Sequence, residues 1–341
     1  MASSLGKWLN PFHVDPGAQR SKLLHRRLLR ALAISTRNFT MAVLAVGTLA
    51  QAVHVLPAGV LITIGLAVLL RLGWAIRARD ASGQPVSPNS ILVFFGLSVV
   101  VLAYLRSLAD GDGLQPHYDY VIRLDSVVLG TVPTVWLQEH LYHYPRFAIL
   151  DAYALATYLS YFFVPFLAAV FLWHNWPVRF RLYLTAFLVT MVTGTAYVAL
   201  VPTAPPWMAA NNGHLPEVFR IVRIVVDRVA PGAYQNGYAA AGINEVASFP
   251  SFHMSESLLV VMAAWGYGRW PRRIGIVYAL SMGFSLVYLG EHYVADVLAG
   301  AALGLASWRC ALSLTPQTRP SIQAPESAPG AAVLRPRPEA T

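Results

Sequence analysis

Charge is scarce in this chain. Of its 341 residues only 12% are Asp, Glu, Lys or Arg, whereas 56% are hydrophobic and the mean hydropathy is +0.51. A soluble domain carries about a quarter of its residues charged, so a soluble fold is excluded and a membrane protein is implied. Cysteine is nearly absent too. Cys310 stands alone, which rules out an intrachain disulfide and any cysteine-based metal cluster. Lying in an apolar run, it is expected to be an inert buried thiol. The first 30 or so residues lack any long apolar stretch. No cleavable leader is expected there, and the first spanning helix would serve as the insertion signal. The net charge of +9 invites a nucleic-acid partner. The basic residues are spread over short loops, however, and leave no basic groove, so none is expected.

What the chain has instead is apolar runs of spanning length, about 20 residues each. They fall at 39–56, 57–76, 90–108, 147–173, 182–201, 252–268, 273–290 and 293–312, the first two separated only by the Leu56-Pro57-Ala58-Gly59 turn. The expected fold is therefore an all-α polytopic bundle of about eight transmembrane helices. Lys and Arg favour the cytoplasmic side. With the N-terminus inside, 19 of the 25 basic residues fall there, and Arg106, Arg123, Arg146, Arg220, Arg223 and Arg228 fall outside. Both termini are thus expected in the cytoplasm of what we read as a bacterial plasma membrane.

Four regions follow. Residues 1–38 form an N-terminal tail, and 39–146 form accessory helices with an interfacial segment. Residues 147–312 form the functional helical core, and 313–341 a Pro-, Ala- and Ser-rich tail expected to be disordered. Two long extracytoplasmic segments remain, 109–146 and 202–249. In the first, Leu124–Gly130 and Trp136–His140 read either as short amphipathic helices on the membrane surface or as an ordered loop. The second is rich in turn-forming residues and is expected to cap the site.

Ionisable groups in or near lipid suggest function. His292 and Asp296, at i and i+4, share a helix face at the mouth of an apolar helix. A carboxylate there can fix the imidazole tautomer and leave the other ring nitrogen free to attack; taken alone, the pair is a weak signal that also fits a structural helix-end contact. Phe249-Pro250-Ser251-Phe252-His253 reads as another helix start, with Ser251 as N-cap and its terminus a ready anion site. His253, just inside it, could act as a general acid. Glu256 could orient His253 or bind a substrate hydroxyl. His117, His140 and His143 share a region with Asp110, Asp112 and Asp119, but their spacing matches no strong ligand signature. No metal or cofactor is expected.

Two such motifs on one membrane face resemble motifs two and three of the type 2 phosphatidic acid phosphatase superfamily, with Ser285–Gly300 especially similar to the third; residues 182–312 carry the resemblance. It implies a helical bundle without a metal requirement, His292 as nucleophile, Asp296 as its orienting carboxylate and His253 as acid. The superfamily's first motif is Lys, six residues, then Arg-Pro, and its third begins Ser-Arg. Here Tyr197, Ala204, Pro205 and Leu286 stand at those places, so three phosphate-binding cations are absent. The run Val201-Pro202-Thr203-Ala204-Pro205-Pro206-Trp207, together with Asp151, Tyr158, Tyr161 and Pro165, instead resembles the inositol phosphorylceramide synthase branch.

A site with fewer fixed cations suits a singly charged diester better than a dianionic monoester. Arg220, Arg223, Arg228 or Arg123 could restore charge from the loops, or could simply be solvated or contact headgroups. The expected substrate-binding set is Ser251, Glu256, Tyr197, Pro205, Trp207, Asp151, Tyr158, Arg220 and Arg223. The resulting expectation is a phosphotransferase that moves a head group, inositol phosphate by resemblance, from a lipid phosphodiester to a lipid or glycan hydroxyl through a phosphohistidine. A lipid phosphatase using water and a non-catalytic lipid carrier are the alternatives.

Overall fold

The computed structural model describes residues 114–241 and 244–315, together with Gly96. The spans expected at 39–56, 57–76 and 90–108 lie outside these residues, Gly96 apart. The described chain is helical, with no strand among the described residues and only isolated β-bridges.

The two stretches read as short helices or loop are helices: α1 (Asp119–Leu129) and α2 (Pro133–Leu141). The run expected as one span at 147–173 is two helices, α3 (Ile149–Ser160) and α4 (Val164–Asn175), meeting at a 46° bend. Pro165 explains the break. Its ring restricts Val164 and removes an N–H, and the turn tightens to i→i+3 bonds from Tyr161, Phe162 and Phe163. Next comes α5 (Pro177–Leu200). The capping segment folds into α6 (Pro206–Asn211), α7 (Ile221–Val229) and α8 (Ala233–Ala241). The bundle closes with α9 (Phe252–Ala264), α10 (Arg269–Tyr288) and α11 (Val294–Leu314).

By length and composition 178–200 and 294–314 can each cross a membrane, and the bent α3–α4 pair makes a third if it counts as one span. Helix α10 is long enough but opens on Arg269, Arg272 and Arg273.

Helix α9 lies at the centre, packed against α4, α5, α10 and α11. Between helices in lipid, burial of apolar surface gains little, so close packing and hydrogen bonds must hold them. Gly300 and Gly304, one turn apart on α11, provide that approach. A Cβ on Gly300 would lie 2.3 Å from the Ser251 carbonyl oxygen, and one on Gly304 2.7 Å from that of Ser255. Ser255 Oγ sits in the seam, 2.8 Å from both the Ser251 and the Gly300 carbonyl oxygens. Tyr183, Phe187, Phe252 and Trp308 fill one core between α5, α9 and α11, while Tyr158, Ile221, Met282 and Tyr288 fill a second around α3, α7 and α10.

Candidate active site

The site forms where the C-terminus of α10 and the N-termini of α9 and α11 converge. Helix α10 ends in a Schellman turn: Glu291 N–H reaches back to the Leu286 carbonyl and Gly290 N–H to that of Val287. Gly290 has φ +81°, and a Cβ there would meet the Phe219 carbonyl oxygen at 2.6 Å. The turn therefore needs glycine, and it releases Glu291 and His292 from the helix. Helix α11 then starts at once. Asp296, in its first turn, accepts the Tyr293 N–H at 3.0 Å, while Asp125 of α1 accepts Val294 N–H at 2.9 Å and Ala295 N–H at 2.7 Å.

His292 and Asp296 are buried, 5% and 0% exposed. His292 Nδ1 lies 3.2 Å from Asp296 Oδ2. A carboxylate only accepts, so this contact calls for the proton on Nδ1, and in the neutral ring Nε2 then keeps its lone pair. Ser248 donates to the same carboxylate oxygen and its Oγ is 3.4 Å from Nδ1. On the other side of the ring, Nε2 faces Ser251 Oγ at 3.3 Å, and Ser251 Oγ accepts the Met254 N–H as the N-cap of α9. The His253 ring stands edge-on to His292 with centroids 5.5 Å apart. Thr134 of α2 donates to the His292 carbonyl at 3.3 Å.

Of the residues expected from sequence, His292, Asp296, His253 and Ser251 therefore meet. Tyr158, from the last turn of α3, joins them by stacking on His253 at 5.0 Å, with Tyr161, from the bend between α3 and α4, at 4.1 Å. Asp151 sits elsewhere, accepting the Ala148 N–H at the start of its own helix and the Tyr288 hydroxyl. Glu256 is buried one turn inside α9. Tyr197 packs on Phe249 at 5.4 Å and Pro205 is the buried N-cap of α6.

The arginines divide. Arg220 is half-buried, 3.0 Å from Glu291 and 3.1 Å from Glu245, with its guanidinium 4.0 Å from the Trp207 ring centroid. Arg223 pairs with Asp227 on the outer face of α7, Arg228 donates to the Pro145 carbonyl, and Arg123 is exposed. His140 stacks on Trp136, and among the described residues no three His, Cys, Asp or Glu side chains converge to hold a metal.

The PAP2 superfamily model matches residues 119–310, more than half of the chain and all of this site. The chain belongs to the PAP2 superfamily. PAP2 superfamily members are enzymes acting on lipid phosphate esters. It is similar to the inositol phosphorylceramide synthase of Candida albicans, 25% identical over 61% of this chain and 41% of that one. It is also similar to the phosphoinositol dihydroceramide synthase of Bacteroides thetaiotaomicron, 27% identical over 54% of this chain and 61% of that one. The chain thus spans less than two thirds of either relative. No solved structure matches it.

Sequence reasoning missed four residues of this PAP2 site: Ser248, Thr134, Gln138 and Asp125. Gln138 donates to the Tyr288 and Phe219 carbonyls at 2.8 and 2.9 Å and accepts the Phe219 N–H, pinning the α10 terminus to the capping segment. Asp125 yields a pH prediction. Burial pushes its carboxyl up from 3.8 to about 6, against the lowering effect of the two N–H groups it accepts. A folded-state value above the unfolded one means that the folded chain binds the proton more readily. Stability from this group is full below about 4, falls as pH rises toward 6, and is flat above. Asp125→Asn should remove that slope, read as the difference between wild-type and variant melting temperatures from pH 4 to 7. Parallel curves would refute it.

Proposed function

We propose that this chain is an integral membrane phosphotransferase that moves a phosphoryl head group from a lipid phosphodiester to an acceptor hydroxyl through a phosphohistidine at His292. The observation that carries this reading is the ring of His292: Nδ1 is held by Asp296, and Nε2 faces Ser251 with His253 alongside. His292 Nε2 attacks phosphorus, forming the N–P bond as the bond to the diacylglycerol oxygen breaks. His253 supplies the proton to that oxygen. Asp296 steadies the imidazolium as charge develops on the ring, and Ser251 donates to a phosphoryl oxygen. In the second half the acceptor hydroxyl attacks phosphorus, gives its proton to His253, and the N–P bond breaks. The burial of His292 supports transfer over hydrolysis, since water is kept from the N–P bond.

An inositol phosphate head group and a ceramide-like lipid acceptor are suggested by the names of the two relatives. The full protein is read as eight spans with both termini cytoplasmic, 147–312 as the catalytic core, and the site opening on the extracytoplasmic side of the membrane. The distribution of basic residues supports that orientation. Arg179 donates to the Ala263 carbonyl and lies over Tyr267, and Arg272 lies over Trp265. These contacts are at the end of α9 opposite Ser251, the end expected to face the cytoplasm.

The test uses purified full-length protein in lipid nanodiscs with phosphatidylinositol labelled in the inositol phosphate, with and without ceramide. Wild type should move label to a new lipid, and His292→Ala and His253→Ala should not. Water-soluble label released without transfer would make the protein a hydrolase. Transfer persisting in His292→Ala would remove the nucleophile assignment.

A further inference from the structure

Three charged side chains meet beside the site, Arg220 and Glu291 largely covered and Glu245 at the rim. Arg220, 9% exposed, directs Nε to Glu291 Oε1 at 3.0 Å and one terminal nitrogen to Glu245 Oε1 at 3.1 Å. Its guanidinium lies over Trp207 at 4.0 Å and Tyr234 at 5.0 Å. The two carboxylates belong to the two segments that compose the site. Glu291 precedes His292. Glu245 lies three residues before Ser248 and six before Ser251, the hydroxyls that touch the two nitrogens of His292. Arg220 itself follows Phe219, which is bonded to Gln138, and precedes Ile221, whose N–H reaches the Leu289 carbonyl at 3.2 Å. One guanidinium therefore joins the serine segment, the histidine turn and α7.

We infer that Arg220 is a positioning residue: a charge clip that sets the serine segment against His292 by holding Glu245 and Glu291 together. It is not the phosphate ligand that the loop arginines offered in the sequence. The geometry supports the clip because the fork of the guanidinium is turned to carboxylates on both sides and its face is stacked, a use lysine cannot reproduce. This inference rests on the phosphotransfer reading for its kinetic arm only.

Removing one partner of a buried ion network leaves the others uncompensated, whereas removing all of its charges together can be nearly neutral. That asymmetry separates a clip from a phosphate ligand. In nanodiscs, Arg220→Gln should lower kcat about 100-fold with the donor KM held within about threefold, and Arg220→Lys should do no better. The triple variant Arg220→Gln/Glu245→Gln/Glu291→Gln should recover to within about tenfold of wild type. A phosphate ligand would give the reverse: donor KM rising in Arg220→Gln, and a triple variant no better than the single. Should Arg220→Gln fail to fold, Glu245→Gln carries the same test. Its side chain is 37% exposed, so the loss should be milder, about 5- to 10-fold in kcat with KM unchanged. The melting temperature tests the clip whatever reaction the protein catalyses. The single variant should melt lower than wild type and the triple should regain most of the difference. A triple variant melting as low as Arg220→Gln would overturn the clip.

Discussion

His292→Ala is expected to abolish head-group transfer, a fall of about four orders of magnitude or more, because it removes the nitrogen that the Asp296 contact leaves free to attack. Asp296→Asn should cost about two to four orders. Asn keeps the shape but no longer stabilises the imidazolium, and its amide can turn an N–H toward Nδ1. Ser248→Ala should cost about tenfold, since it removes one donor to Asp296 but leaves the His292 contact in place. These losses should not add. In a His292→Ala background Asp296→Asn should change nothing further, because both act on one ring. The measurement is single-turnover capture of labelled enzyme, with the label stable to base and lost in acid, as a phosphoramidate requires. Labelled His292→Ala protein, or additive losses in the double variant, would break the scheme.

The parts of this site legible in the sequence are those set by local spacing. His292 and Asp296 are four apart, and Ser251 and His253 open a helix, so each pair could be placed before any fold was known. The residues that were not legible reach the site across the chain. Thr134 bonds His292, 158 residues away; Gln138 bonds Tyr288, 150 away; Asp125 bonds Val294, 169 away. Nothing in local periodicity reports such contacts. Ser248 is close in sequence to Ser251 but lies outside any helix pattern, and a serine between Ala247 and Phe249 carries no signal of its own.

Arg220 shows the complementary difficulty. Its charge was evident, but whether it would meet phosphate or carboxylate depends on how Glu245 and Glu291 fold around it. The broken α3–α4 helix was hidden by composition, because hydropathy runs unbroken through Tyr161–Pro165 while the backbone does not. That break places Tyr161 against His253, beside Tyr158 from the last turn of α3.

Gly300→Ala is expected to be the most damaging change outside the chemistry. Its new methyl would lie 2.3 Å from the Ser251 carbonyl oxygen, a backbone atom that cannot rotate away. Helices α9 and α11 must separate, and overpacking of this kind costs about 1–3 kcal/mol of stability. The greater cost falls on catalysis. Ser251 is the residue pushed, and its hydroxyl is 3.3 Å from His292 Nε2, the proposed nucleophile, which is carried on the other side of the same seam. A displacement of about 1 Å between reacting groups can cost about 100-fold in rate. Gly304→Ala makes the internal comparison. It clashes with Ser255 one turn deeper, at 2.7 Å, so it should lower the melting temperature while sparing most of the turnover. A larger kcat loss in Gly300→Ala than in Gly304→Ala, at similar melting temperatures, would tie the glycine seam to the site. Equal losses in the two would mean that the seam serves stability alone, and that His292 and Ser251 are held in register by the capping segment instead.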